Sequence, residues 1–384
     1  MGAPHLRFPF LLVPFLFLLS GGDPSAAAPS RDPVAAAADV DLRLFLVGDA
    51  GEPSPRGEPV LQALGREIAR DPARSMVVFL GDNLYPKGLP PPGARDRPEM
   101  ERRLDAQVDV VKAAGVRGLI VPGNHDWDEG GPDGWEAVRR QVRRVDERGG
   151  PLVSALPKDG CPGPEVVDVG GHVRLVVLDT QWWLHEEARP EHPTSACPQD
   201  SEEEVTAALL EALETAGDRV LVVAAHHPLA SGGPHGGHFT FRQHVFPLTD
   251  ANKRLWIPLP LIGSLYPLAR RSGITPQDLA SGENAHMVRA LEGVFRVRPP
   301  LVYAAGHEHS LQVIRGTSAR YLLVSGAGIH GNGSPVKRIE GGLYASRRAG
   351  FMRLDVERSG RVRLAVLEVN GEGEAKERYS AWLE

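Results

Sequence analysis

Short, near-continuous apolar runs separated by amphipathic stretches set the strongest limit on how this chain folds. Leu42 to Val47 and Met76 to Leu80 lack the strict polar alternation of a strand with one wet face, so both faces need cover, as in a parallel sheet flanked by helices. The periodicity predicts strands at 41–47, 76–80, 117–121, 173–179, 219–225, 301–305, 311–315, 320–325, 351–356 and 361–368. Helices are expected at 58–70, 98–114, 133–148, 201–216 and 283–296. The first half therefore runs β-α-β-α-β-α, which implies parallel strands with helical crossovers, and the strand-after-strand end implies an antiparallel edge or second sheet. The expected fold is α/β, a layered sandwich of two mixed β-sheets flanked by helices.

No long hydrophilic linker divides residues 39–384, so one domain is expected there. Ahead of it, a single arginine, the apolar stretch Phe8 to Leu19 and small residues through Ala28 have the layout of a secretory signal over 1–28, with a flexible segment at 29–38. The apolar stretch is too short for a membrane span, and Pro4, Pro9 and Pro14 oppose a stable buried helix. Export, to a periplasm or the outside, is the expectation; anchoring by an uncleaved N-terminus is the alternative. In an exported chain the only two cysteines, Cys161 and Cys197, are expected to pair, two isolated thiols being the other reading. Lys and Arg number 43 against 49 Asp and Glu, and the net charge of −6 comes with both signs interspersed. No basic stripe exists to neutralise a run of phosphates, which excludes nucleic-acid binding as the main task.

Five polar clusters sit at the ends of apolar runs: Gly48-Asp49-Ala50-Gly51, Gly81-Asp82-Asn83-Leu84-Tyr85, Gly123-Asn124-His125-Asp126, His226-His227-Pro228 and Gly306-His307-Glu308-His309. Oxygen and imidazole donors delivered from successive strand ends can hold two metal ions side by side, and in open α/β sheets ligands bind beyond the carboxyl ends of strands. Each motif alone is weak. A tight turn explains the first, a strand end the fourth. In order, they resemble the metallophosphoesterase superfamily, over about residues 42–328. That superfamily usually carries a ligating His two residues after the first Asp and ends its second motif in Asp. Gly51 and Tyr85 stand there instead. This paired exchange resembles the purple acid phosphatases, the short tartrate-resistant type above all, which lose the His and gain a tyrosinate.

The resemblance implies a ferric ion held by Asp49, Tyr85 and His309, a bridging Asp82, and a divalent ion, Fe, Zn or Mn, on Asn124, His226 and His307. A phenolate is a hard anionic donor that favours Fe(III), whereas imidazole suits Zn(II) or Fe(II). Ferric plus divalent charge also leaves a small positive residue over the ligands and a bridging hydroxide, which attracts a phosphate ester. The implied chemistry is in-line attack on a phosphoryl group by a metal-activated hydroxide. By the same resemblance His125 contacts the phosphoryl group and helps protonate the leaving oxygen, Asp126 orients its ring, and His235 is a second substrate-contacting His, with His238 a weaker candidate. His227 reads as packed or solvated rather than catalytic, and the remaining histidines as surface or satisfied core residues. His330 is left unassigned.

The implied activity is an exported, acid-preferring phosphomonoesterase on small phosphate esters. A phosphodiesterase or nucleotidase on the same metal core is the alternative. A non-catalytic phosphate-binding or surface-interaction protein is disfavoured because every expected ligand position is filled. Gly326-x-Gly328-x-x-Gly331 matches a dinucleotide fingerprint only formally: no helix opens there and no acid stands about twenty residues on. Residues 229–282 break the core rhythm and are expected to form a rim or lid. Their apolar stretch 255–262 either packs within this insert or forms an exposed patch for a lipid surface, an apolar substrate or a partner.

Overall fold

The computed structural model describes residues 39–251 and 255–384. The export signal expected at 1–28 and the segment 29–38 lie outside the described residues. In chain order the strands are β1 (Val40–Val47), β2 (Ser75–Leu80), β3 (Arg117–Val121), β4 (Val153–Ala155), β5 (Glu165–Val169), β6 (Val173–Val177) and β7 (Val220–Ala224). They continue with β8 (Val302–Ala305), β9 (Leu311–Arg315), β10 (Tyr321–Ser325), β11 (Gly342–Ser346), β12 (Gly350–Glu357), β13 (Val362–Val369) and β14 (Ala375–Leu383). Two seven-stranded mixed sheets result, with orders β14-β13-β12-β1-β2-β3-β4 and β11-β9-β10-β8-β7-β6-β5.

Strand alternation builds the layers. Leu44 and Leu46 of β1, with Met76, Val78 and Leu80 of β2, face the second sheet and bury against Val222, Ala224, Val302, Ala304 and Leu323. Their neighbours Phe45, Val47, Val77 and Phe79 face the other way, onto helices Pro59–Ile68, Arg97–Ala114 and Gly134–Gly149. Helices Glu202–Glu214 and Gly282–Val297 cover the outer face of the second sheet through Val205, Leu209, Met287, Leu291 and Phe295. Both faces of the central strands are thus dry, which is why their sequences read as nearly unbroken apolar runs.

β1, β2 and β3 pair in parallel, as do β6, β7, β8 and β10. Edge strand β4 pairs parallel with β3, and the other edges are antiparallel: β12 to β14 in one sheet, β5 and the β9–β11 pair in the other. β4, β5, β11 and β14 have no counterpart among the expected strands. All are edge or near-edge strands, short, or charged and half-exposed, so their apolar signal is diluted. Cys161 and Cys197 are joined by a disulfide, tying the segment before β5 to the loop before helix Glu202–Glu214. No helix among the described residues is long and apolar enough to cross a membrane.

Candidate metal centre

All five polar clusters directly follow strands, β1, β2 and β3 of one sheet and β7 and β8 of the other, so they meet where the carboxyl ends of the two sheets converge. The chain reverses sharply there. Asp49, Asp82 and His307 take left-handed backbone conformations, with φ of 59°, 53° and 67°, a local cost tolerated where the surroundings fix it and common at functional sites. Gly81 allows the sheets to approach, since a Cβ on it would lie 2.3 Å from Nδ1 of His226.

The Tyr85 hydroxyl is the centre of one group. It lies 2.9 Å from Asp49 Oδ1, 2.9 Å from Asp82 Oδ2 and 2.9 Å from His309 Nε2. Asn124 Oδ1 is the centre of another, 3.0 Å from His226 Nε2 and 3.0 Å from His307 Nδ1. Asp82 stands between them: Oδ2 faces Tyr85, while Oδ1 lies 3.3 Å from His226 Nε2 and accepts the His125 amide at 3.0 Å. The seven residues expected as ligands are therefore together, in two groups that share one carboxylate.

The donor set fits two metal ions. Asp49 and Asp82 are 2% and 1% exposed, and the single phenolic proton of Tyr85 cannot serve both carboxylates. Burial pushes the Tyr85 phenol well above its ordinary value, and both carboxylates push the same way; only a cation close to the oxygen reverses this. Burial would lower His226, yet the Asp82 carboxylate beside it holds it up at about 9. Asp82, despite its own burial, is held low by His226 and His125.

Backbone and side-chain partners orient the donors. His226 Nδ1 lies 2.8 Å from the Leu80 carbonyl, which leaves Nε2 facing Asn124 and Asp82. Asn332 Nδ2 reaches His309 Nδ1 at 3.3 Å, and the Gln277 carbonyl lies 3.2 Å from His307 Nε2. His227 has a ring nitrogen within 4.8 Å of those of His226 and His307. Both of its nitrogens are nevertheless engaged, Nδ1 with Thr180 Oγ1 at 2.9 Å and Nε2 with Gln277 Oε1 at 2.7 Å, so it buttresses the centre from behind.

His125 stacks on Tyr85 at 4.5 Å between ring centroids, and its Nδ1 lies 2.6 Å from the Pro86 carbonyl. Nε2 is turned to the site, 4.0 Å from Asp82 Oδ2. The expected pairing of Asp126 with this ring is replaced by Pro86. Asp126 instead accepts from the amides of Asn83 at 3.0 Å, Leu84 at 3.0 Å and Gly123 at 2.8 Å, and from Asn83 Nδ2 at 2.8 Å. It is wholly buried and clamps the loop after β2 to the loop after β3. A carboxylate that close to three backbone amides is captured by them before it can reach a neighbouring ring.

His235 comes in from the insert and lies over His307, ring centroids 4.1 Å apart. Its Nδ1 receives Arg270 Nη2 at 3.1 Å and stands 3.4 Å from Asp278 Oδ1; Arg270 and Asp278 are themselves paired at 2.5 Å. Glu308, between the two histidines of the last motif, accepts the His235 amide at 3.0 Å and the Ser231 hydroxyl at 3.0 Å. Gln277, Arg270, Asp278 and Glu308 escaped the sequence reading because no motif surrounds the first three, and the fourth occupies the variable position of its motif.

A family model described as calcineurin-like phosphoesterase matches residues 42–257. No curated protein matches the chain. Among 57 solved chains that do is GAP50, the anchor in the inner membrane complex of Plasmodium, at 15% identity over 90% of this chain and 89% of that one, TM-score 0.50. PhoD aligns at 13% identity over 88% of this chain and 69% of its own, TM-score 0.50. Purple acid phosphatase PPD1 from yellow lupin (Lupinus luteus) seeds aligns at 14% identity over 88% of this chain and 53% of that chain, TM-score 0.49. For GAP50 and PhoD the likeness, at these identities, is one of fold.

Proposed function

The chain belongs to the calcineurin-like phosphoesterase family, and from that premise we propose that it is an exported phosphomonoesterase with one ferric and one divalent ion in its centre. The observation that carries the reading is the Tyr85 hydroxyl, 2.9 Å from each of Asp49, Asp82 and His309. Two carboxylates and a phenol around one point make a hard, anionic pocket suited to a trivalent cation. Asn124, His226 and His307 form the softer side, suited to divalent Fe, Zn or Mn, and Asp82 serves both sides.

Bound there, the two ions supply Lewis acidity towards a phosphoryl group and a nucleophile competent at low pH. The protein's own groups do the rest. His125 Nδ1 donates to the Pro86 carbonyl, which leaves Nε2 facing a bound ester; in the imidazolium form Nε2 also carries a proton, which passes to the departing oxygen and leaves the neutral ring with its Nδ1 proton. On the other flank, the Arg270 guanidinium donates to His235 Nδ1, which makes that nitrogen an acceptor and places the His235 proton on Nε2 as a hydrogen-bond donor to a phosphoryl oxygen. Gln277 locks His227 and His307 together, and with His235 closes the side of the site that the insert occupies.

The test is metal analysis of purified protein together with turnover of an aryl phosphate monoester and the matching diester between pH 4 and 8. Iron plus a divalent metal, with monoester kcat/KM above diester kcat/KM, supports the reading. Preferred diester turnover overturns the monoesterase assignment and leaves the metal centre standing.

A further inference from the structure

Ten of the twelve large apolar side chains exposed among the described residues fall between Phe241 and Ile274. Phe241 is 83% exposed, Leu261 89%, Ile262 69% and Leu265 64%, and Trp256 is 53% exposed. Isolated exposed apolar residues are ordinary, but this concentration in one short segment is not. The stretch 255–262 therefore does not fold away inside the insert: Leu255, Trp256 and Ile257 are exposed although the stretch is held to a preceding helix by the Leu259 amide on the Val245 carbonyl at 2.8 Å and by Trp256 against Phe246 at 5.5 Å. Leu261 caps the stretch with φ 69° and ψ −59°, a conformation unusual for a bulky residue, between Pro260 and the short helical turn Ile262–Ser264.

The charge of the same segment runs against that of the chain. Arg242 and Arg271 are exposed cations of the described segment, whereas Arg270 is paired with Asp278, and the sequence adds Lys253 and Arg254 against Asp250, in a protein of net charge −6. Asn252, Lys253 and Arg254 lie outside the described residues. Arg242 sits over the Trp256 ring at 4.2 Å, which places a cation beside an aromatic amphipath. Exposed Trp, Tyr, Leu and Ile with neighbouring Arg are the composition of a surface that lies at a membrane interface, the apolar groups entering the acyl boundary and the cations meeting anionic headgroups.

We propose that the insert, through its tip at Trp256 to Leu268 with Arg242 and Arg271 beside it, docks the protein on an anionic lipid bilayer. Arg270, Asp278, Gln277 and His235 connect this segment to His307, so the docked face is continuous with one wall of the metal centre. A docked protein then meets its ester at the bilayer surface.

Cosedimentation of the full chain with vesicles tests this, using phosphatidylcholine alone and a 3:1 mixture of phosphatidylcholine with phosphatidylglycerol. The expected result is retention on the anionic vesicles, at least tenfold weaker binding to the neutral ones, and at least a tenfold loss in Leu261→Ser/Ile262→Ser. Both positions are exposed, so the variant should keep the thermal midpoint and helical circular dichroism of the parent. Arg271→Glu should weaken binding to anionic vesicles while leaving the midpoint unchanged. No retention on anionic vesicles overturns the proposal. So does equal retention of the parent and the double variant, which assigns binding to another part of the chain such as residues 8–19. A concentration-dependent dimer abolished by the double variant, without vesicle binding, assigns the patch to a second copy and equally overturns it.

Discussion

Gly51 and Tyr85 are joined through their backbones, the Tyr85 amide donating to the Gly51 carbonyl at 3.2 Å. A Cβ on residue 51 would lie 2.5 Å from the Asn83 carbonyl carbon, 2.5 Å from the Leu84 nitrogen and 2.6 Å from the Asp82 carbonyl oxygen. The missing histidine and the gained tyrosine are therefore one structural choice. The turn after β1 lies so tightly on the turn after β2 that no side chain fits at position 51, and the phenol from position 85 fills the pocket.

Gly51→Ala is expected to force those two turns apart. Overpacking of this kind costs about 1–3 kcal/mol, and here it displaces Asp82, so loss of bound metal should exceed the loss of stability. Metal content per chain and urea unfolding, measured on the same preparation, check this. Full metal content at unchanged stability would show that the turn has slack.

Asp126→Ala should behave as a structural lesion. It strands the amides of Gly123, Asn83 and Leu84 and the Asn83 side chain in the interior, at a cost of about 3 kcal/mol or more. Because those amides flank Asp82 and Asn124, both metals should be lost along with stability. A variant of normal stability and metal content but low kcat would restore a role for Asp126 in orienting His125.

His125→Ala is expected to keep both metals and lower kcat by roughly 10²–10⁴, the usual worth of a positioned proton donor. Metal content per chain and kcat on an alkyl phosphate are the readouts, and the loss should shrink for aryl esters, whose leaving group needs little help from a proton. Loss of metal would make His125 a ligand.

His185 limits the protein in acid. It is 3% exposed, stacks on Trp127 at 4.8 Å, and has no hydrogen-bond partner on either nitrogen among the described residues. Burial, aided by Arg189, lowers it to about 4, against about 6.5 unfolded. The unfolded chain binds this proton first, so stability is fully present above about pH 6.5 and declines as pH falls towards 4, by roughly 2–3 kcal/mol in total. Urea unfolding at pH 7.5, 5.5 and 4.5 should show His185→Phe losing less stability with acid than the parent. Equal losses in both would acquit this residue.

The centre was more legible in the sequence than its support. Strand ends deliver Asp49, Asp82, Asn124, His226 and His307 by local chain geometry alone, and each stands within two residues of a glycine or proline that ends an apolar run. Asp126 was misplaced because its partners are backbone amides from another loop, and backbone donors leave no residue signature. Gln277, Arg270 and Asp278 act across 30 to 50 residues from a segment with neither periodicity nor motif. The outer strands β5 and β14 mix charge with apolar residues because one face or edge is wet, so they resemble loops.

Whether Tyr85 ligates iron is tested most directly by the visible spectrum of the purified protein taken with its metal content. The expected result is a tyrosinate-to-iron charge-transfer band, about one iron and one divalent metal per chain, and disappearance of the band in Tyr85→Phe. A colourless, fully active protein holding only zinc or manganese, with Tyr85→Phe unchanged in activity, would contradict it.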